Sequence, residues 1–149
     1  MFKISRVLRK ELIFLSVDAG DQQSVIDKIA SIFSEKGFGE KENLARMFRE
    51  REGISSTGVG HKIAIPHIFL ENVPEQTLLI LTLKNPVNFH SHDMLPVSLV
   101  LALVSNRDTP AVHLRMLAKL SRIFTKSKFF TPLMESKTQD EVIKLLEDL

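Results

Sequence analysis

Val97-Ser-Leu-Val-Leu-Ala-Leu-Val104 is the longest apolar run in the chain, broken only by Ser98. A strand with one wet face alternates polar and apolar residues, so this run reads as a strand buried on both faces. It is far short of the ~20 apolar residues that span a bilayer. Such a strand needs cover on each side, and helical patterns stand on both sides of it in the sequence. Upstream, Leu78-Leu-Ile-Leu-Thr-Leu83 gives a second strand. Lys62-Ile-Ala-Ile-Pro66 gives a short one stopped by its proline, which cannot donate to a ladder. Leu12-Ile-Phe-Leu-Ser-Val17 opens the set, and the residues from Asn85 to Asp93 read as a turn followed by an edge segment.

The intervening stretches have a helical period. Val25, Ile26, Ile29, Ile32 and Phe33 predict a helix over 21–36, capped by Asp18 or Asp21 and ended by Gly37 and Gly39. Leu44, Met47 and Phe48 share one side of a second helix over 42–52. After Ser105, the residues Leu114, Leu117, Leu120 and Ile123 or Phe124 predict one face of a helix over 109–125. A short helical segment over 129–134 follows. A last helix over 138–148 has Thr138 as N-cap and Val142, Leu145 and Leu146 inward. The expectation is an α/β fold in one domain over residues 1–149, a sandwich with a mixed β-sheet flanked by helices.

Composition agrees with a folded domain. The 149 residues are 44% hydrophobic and 26% charged with a formal net charge of +2, which excludes a disordered chain. There is no cysteine, so disulfides, zinc thiolate sites and thiol nucleophiles are excluded. The N-terminal residues lack the apolar core of a signal peptide, and a cytoplasmic location without membrane insertion is expected. The pI of about 9.0 reflects nearly balanced charges, 20 basic against 18 acidic, so a nucleic-acid partner is not expected. Arg115, Lys119, Arg122, Lys126 and Lys128 recur at helical spacing. They read first as a solvated helix face and second as a docking surface for an acidic partner.

Chemistry near neutral pH points to the five histidines, His61, His67, His90, His92 and His113. His67 follows Pro66 at a strand end, just after the small, polar loop Gly53-Ile-Ser-Ser-Thr-Gly-Val-Gly60. The position suits a phosphate-handling histidine, or a hydrogen-bonded turn histidine. Ser56, Thr57, Gly58 and Gly60 offer hydroxyls and close backbone approach to an oxyanion. The loop is not a nucleotide P-loop, because Gly60-His-Lys62 lacks the Lys-Ser/Thr pair. Arg51 lies just upstream, either a phosphate contact or a surface arginine. His113 shares a helix face with Leu117 and Leu120, which suits a core residue, and lies near a helix N-terminus, which favours anions. His90-Ser-His-Asp93 would place its two histidines on one face of a strand, but no third ligand is adjacent and no metal is expected. No Gly-x-Ser-x-Gly elbow supports a hydrolase.

The stretch Arg51-Glu-Gly-Ile-Ser-Ser-Thr-Gly-Val-Gly-His-Lys-Ile-Ala-Ile-Pro-His67 resembles the signature of the mannitol/fructose-type IIA domain of the bacterial phosphotransferase system (PTS). That signature is Arg-Glu, a short gap, Ser-Thr-Gly-Ile-Gly, two residues, then Ile-Ala-Ile-Pro-His. The segment from Phe89 to Val97, with Asp93 and Pro96, and His113-Leu-x-x-Leu-x-x-Leu120 match the same family in the same order. The chain departs from it at Ile68, where the family usually has Gly, at His61-Lys62, commonly Asn-Gly, and at His90-Ser91, usually Asp-Ala.

The resemblance implies a fold with a mixed sheet and flanking helices. It implies a phosphotransferase with a phosphohistidine intermediate: His67 as acceptor, His113 and Arg51 beside it, and Ser56, Thr57, Gly58 and Gly60 as the phosphate-binding loop. The donor would be a small histidine phosphocarrier protein of the HPr or NPr kind, with no cofactor. Downstream stands either a cysteine-bearing IIB domain on the way to a sugar, or regulatory protein targets in the nitrogen-regulatory branch. With no IIB or membrane domain fused to it and with its loop stretches closer to the regulatory branch, regulation is the favoured expectation. A binding module that has lost phosphorylation is the third. Ile68 and Phe69 are expected to form an exposed apolar patch that a partner reads.

Overall fold

The computed structural model describes residues 3–126 and 128–149. Met1 and Phe2, part of the N-terminal stretch read as lacking a leader's apolar core, lie outside the described residues, as does Ser127. The first strand, β1 (Ile13–Val17), follows two 3-10 turns and leads into α1 (Gln22–Glu35) and α2 (Lys41–Ile54). Strands β2 (Gly58–Gly60), β3 (Ile63–Ala64), β4 (His67–Leu70), β5 (Gln76–Val87) and β6 (Val97–Asn106) come next. Helices α3 (Pro110–Lys126), α4 (Phe130–Glu135) and α5 (Gln139–Leu146) close the chain. One mixed sheet runs in the order β1-β5-β6-β3-β2, with β4 also paired to β6. β5 and β6 are antiparallel, whereas β1 is parallel to β5 and both β3 and β4 are parallel to β6.

The run from Val97 to Val104 is buried at every residue but Ser98, as its composition predicts, and is covered on both faces. Val100, Ala102 and Val104 join Leu79, Leu81 and Ile68 under α1 and α2. Leu99, Leu101 and Leu103 join Leu78 and Ile80 under α3, α4 and α5. Alternate side chains of one strand thus feed two separate cores, which follows from the two-residue period of a pleated strand. At the head of α1, Asp21 and not Asp18 is the cap, its carboxylate accepting from the Ser24 amide at 2.8 Å. That bond holds the Asp21 carboxyl below its ordinary pKa. Thr138 caps α5 as predicted.

Four local expectations are corrected. α2 continues through Gly53 to Ile54, beyond the glycine expected to open the loop, and the loop's end, Gly58–Gly60, pairs as a strand with β3. Pro66 does not end the strand region, because β4 starts at the next residue. The ladder survives the proline since its carbonyl still accepts from the Leu103 amide at 2.8 Å. Asn85 and Pro86 belong to β5, while the residues after Val87 form a loop and not an edge strand. Leu114 is 66% exposed. The buried stripe of α3 is His113, Met116, Leu120, Ile123 and Phe124, and Leu114 lies about 100° around the helix from its start. Arg115, Arg122, Lys126 and Lys128 are exposed and Lys119 is half-buried, matching the solvated-face reading.

Candidate functional site

β3 and β4 occupy the same edge of β6, one after the other, with Ile65 and Pro66 between them. β2 covers β3 alone, so His67, the first residue of β4, stands where the outer strand stops and the edge opens. His67 is in register with Leu103, which faces the α3 layer. Arg51, in the last turn of α2, comes from the opposite layer. Its Nε donates to His67 Nε2 at 3.1 Å, and its Nη1 donates to the Ser55 carbonyl at 2.9 Å.

These contacts fix the state of the His67 ring. Its Nδ1 lies 2.8 Å from the Ile65 carbonyl, which can only accept, so Nδ1 carries the proton. Nε2 accepts from an arginine, which can only donate, so Nε2 holds the lone pair. His67 is half-buried, and burial pushes its pKa below the ordinary imidazole value. The Ile65 carbonyl opposes that shift and the Arg51 charge adds to it. A neutral imidazole with Nε2 as its nucleophilic atom results.

His113, in the first turn of α3, is 2% exposed. Its ring centroid lies 5.1 Å from that of His67 and 4.4 Å from that of Phe69. Burial, then the neighbouring His67 and Arg51 charges, lower its pKa to about 4, so it too is neutral near pH 7. Its Nδ1 lies 2.5 Å from Ser105 Oγ, and that hydroxyl lies 2.9 Å from Gln76 Oε1. Ser105 is in register with Phe69 on one side and Gln76 on the other. The sequence reading missed Ser105 and Gln76. The one signal was a serine at the end of an apolar strand shortly before His113, while nothing local marks Gln76.

Arg51, His67 and His113 are therefore brought together. Ser56 and Thr57 line a hollow of about 300 Å³ with Arg51 and His67, but their hydroxyls are engaged elsewhere. Ser56 Oγ donates to the Phe89 carbonyl at 2.6 Å, and Thr57 Oγ1 donates to Glu52 at 2.5 Å. Gly58 packs so tightly against the loop after β5 that a Cβ there would fall 2.0 Å from Ser91 Oγ. Gly60, at φ +87°, sits against Asp93, whose carboxylate accepts from the amides of His61 at 2.8 Å and Leu95 at 3.1 Å. Those bonds hold the Asp93 carboxyl below its ordinary pKa. His90, at φ +56°, lies in this loop and not on a strand shared with His92. Among the described residues no group of three or more His, Cys, Asp or Glu gathers as a metal site.

The expected Ile68–Phe69 patch is corrected. Ile68 is 5% exposed because, one residue after His67, it turns to the other face and enters the α1–α2 core. Phe69 returns to the His67 face, partly buried against His113. The exposed apolar residues beside the site are instead Ile54, in a hollow of about 500 Å³ that also includes Arg51 and His67, and Val59 beside the smaller hollow.

Comparison with known proteins gives a consistent outcome. Residues 6–149 match the family described as "Phosphoenolpyruvate-dependent sugar phosphotransferase system, EIIA 2". The PTS system fructose-specific EIIABC component of Bacillus subtilis is 27% identical over 145 residues. The match takes in 97% of this chain and 23% of that relative, so the chain spans under a quarter of its length. The nitrogen regulatory protein of Pseudomonas aeruginosa is 24% identical over 150 residues, 100% of this chain and 97% of the relative. Among solved structures, nitrogen regulatory protein IIA-Ntr from Neisseria meningitidis superposes with a TM-score of 0.89 at 26% identity, covering 96% of this chain and 98% of that one.

Proposed function

We propose, since the chain belongs to the phosphoenolpyruvate-dependent sugar phosphotransferase system EIIA 2 family, that it accepts a phosphoryl group on His67 Nε2 and hands it on. The observation that carries this reading is the ring state: Nδ1–H is held by the Ile65 carbonyl, which leaves the lone pair on Nε2, where Arg51 Nε donates to it. The donor is the phosphohistidine of a small histidine phosphocarrier protein. The Nε2 lone pair forms a new N–P bond while the donor's N–P bond breaks, and its electron pair stays with the donor ring. His67 keeps its Nδ1 proton throughout, and the positive charge gained by its ring is stabilised by Ile65. Arg51 shifts from Nε2 to a phosphoryl oxygen. His113 and the amides of the 56–60 loop hold the others. Such transfers are driven by positioning and electrostatics.

Among the described residues no helix is long and apolar enough to cross a membrane. The reading places the protein in the cytoplasm, where its phosphorylation state controls binding to protein targets. Its likeness over nearly their full lengths to a nitrogen regulatory protein and to IIA-Ntr supports regulation. Its identity with part of a fructose-specific component supports the second reading, transfer to a IIB domain on the way to a sugar. Incubation with enzyme I, a phosphocarrier protein and phosphoenolpyruvate, followed by intact mass, tests the common core of both. One phosphoryl group is expected on the wild type and none on His67→Ala. No mass gain on the wild type leaves a binding module without phosphorylation.

A further inference from the structure

Behind His113 lies a buried polar chain that the transfer chemistry above does not use. Ser105 is 0% exposed and Gln76 is 6% exposed, and both project from the sheet toward α3. A neutral His113 carries one N–H, and the nitrogen that holds it decides whether the ring offers its neighbour a donor or a lone pair. Nδ1 is engaged by Ser105, so Nε2 alone is left for the site.

With Ser105 donating to Gln76 Oε1, the Ser105 oxygen accepts from His113 Nδ1–H and Nε2 is bare. In that arrangement Gln76 Nε2 is buried without a hydrogen-bond partner. The two ends of the amide are nearly identical in shape, so turning it over changes no packing. The amide then donates to Ser105 Oγ, the Ser105 hydroxyl donates to His113 Nδ1, and His113 Nε2 carries the proton. The group left without a partner becomes a carbonyl oxygen, and buried orphan N–H groups are rarer than under-satisfied oxygens.

We propose that Gln76 and Ser105 are positioning residues that fix His113 as the Nε2–H tautomer, so that it donates a hydrogen bond to a phosphoryl oxygen on His67. The proposal rests on His67 being the acceptor. Both groups are uncharged, so the device sets donor direction inside an apolar wall without adding a buried charge.

The test is long-range ¹H–¹⁵N correlation NMR of the His113 ring at neutral pH, with phosphotransfer rates measured in parallel. The wild type is expected to show a protonated Nε2 and an acceptor Nδ1. Gln76→Leu removes the amide donor that commits the Ser105 hydroxyl to His113 Nδ1, so the preference for the Nε2–H form should weaken. Ser105→Ala should give a tautomer mixture. Both variants should accept phosphate roughly tenfold more slowly, about the weight of one hydrogen bond. A wild-type ring protonated at Nδ1 overturns the proposal without any variant. So do an Nε2–H tautomer unmoved in both variants and wild-type transfer rates in both. A tautomer that responds as stated in a protein that takes no phosphate supports the relay and removes the acceptor reading instead.

Discussion

Arg51 Nε points its proton at the His67 Nε2 lone pair from 3.1 Å. An arginine never gives up its charge, so this contact admits only an unprotonated Nε2. Protonating His67 breaks the hydrogen bond and sets two cations against each other. The same guanidinium therefore keeps the ring in its nucleophilic form and stands ready for an anion.

This relationship sets the pH response. Both site histidines have folded-state pKa values below the ordinary value of 6.5, His113 at about 4. The unfolded chain thus binds protons before the folded one does as pH falls. The stability contributed by the neutral rings is complete above about pH 6.5 and is lost progressively toward about pH 4. Urea unfolding across that window should show stability rising with pH, with a shallower slope in His113→Gln. A flat profile between those limits contradicts the neutral pair.

Removing the proposed acceptor should separate chemistry from fold. His67 is half-buried at a sheet edge. His67→Ala should abolish the acid-labile phosphoryl group while changing unfolding free energy by about 1 kcal/mol or less. Label that persists and moves to His113 or His90 transfers the acceptor role to that residue.

Arg51→Lys keeps the charge and loses the planar fork that reaches both His67 and Ser55. Phosphotransfer should slow by about 10²-fold, the scale of one donor lost from a developing oxyanion, with little change in melting temperature. Wild-type rates for Arg51→Lys would show that charge alone suffices.

Gly58→Ala should be destabilising, by about 1–3 kcal/mol, because the new methyl collides with Ser91. Ser91→Gly removes the obstructing atoms, and Ser91 Oγ has no hydrogen-bond partner to lose. The double variant should recover most of the loss in a thermodynamic cycle. Additive effects would place the strain elsewhere.

Phosphorylation should act as an electrostatic switch on a protein partner. A phosphoryl group adds about −1.5 to −2 charges near neutral pH. Here the charge would arise beside exposed Ile54 and Val59. An apolar partner surface over it would incur a desolvation cost, and an arginine-bearing one would gain. Pull-downs with wild type, His67→Ala and His67→Asp should capture different partners. Identical sets, together with sugar phosphorylation once IIB and IIC components are supplied, would assign the protein to transport.

The layered fold was legible because Val97 to Val104 is apolar at positions of both parities, and only a strand covered on both sides tolerates that. β4 was hidden because Pro66 signals a stop locally, while the parallel partner that extends the ladder lies far along the chain. The same gap misplaced Ile68: without β4 there is no alternation to turn it inward. Arg51, His67 and His113 were visible as residue types in a motif. The partners that fix the ring states were not, since one is the backbone carbonyl of Ile65 and the others, Ser105 and Gln76, meet only through cross-strand register.

The divided edge of β6 makes the site an assay of the chain's own integrity. His67 reaches Arg51 and His113 only when β4, four residues long behind a proline, is seated on the far half of β6 with α2 and α3 closed over opposite faces. A nascent or locally opened molecule still has its imidazoles, but they have no guanidinium beside them and no fixed ring state. On the proposed chemistry such a molecule cannot be loaded. The phosphorylated fraction in a cell then reports two quantities at once, the supply of donor and the share of this protein that is properly folded.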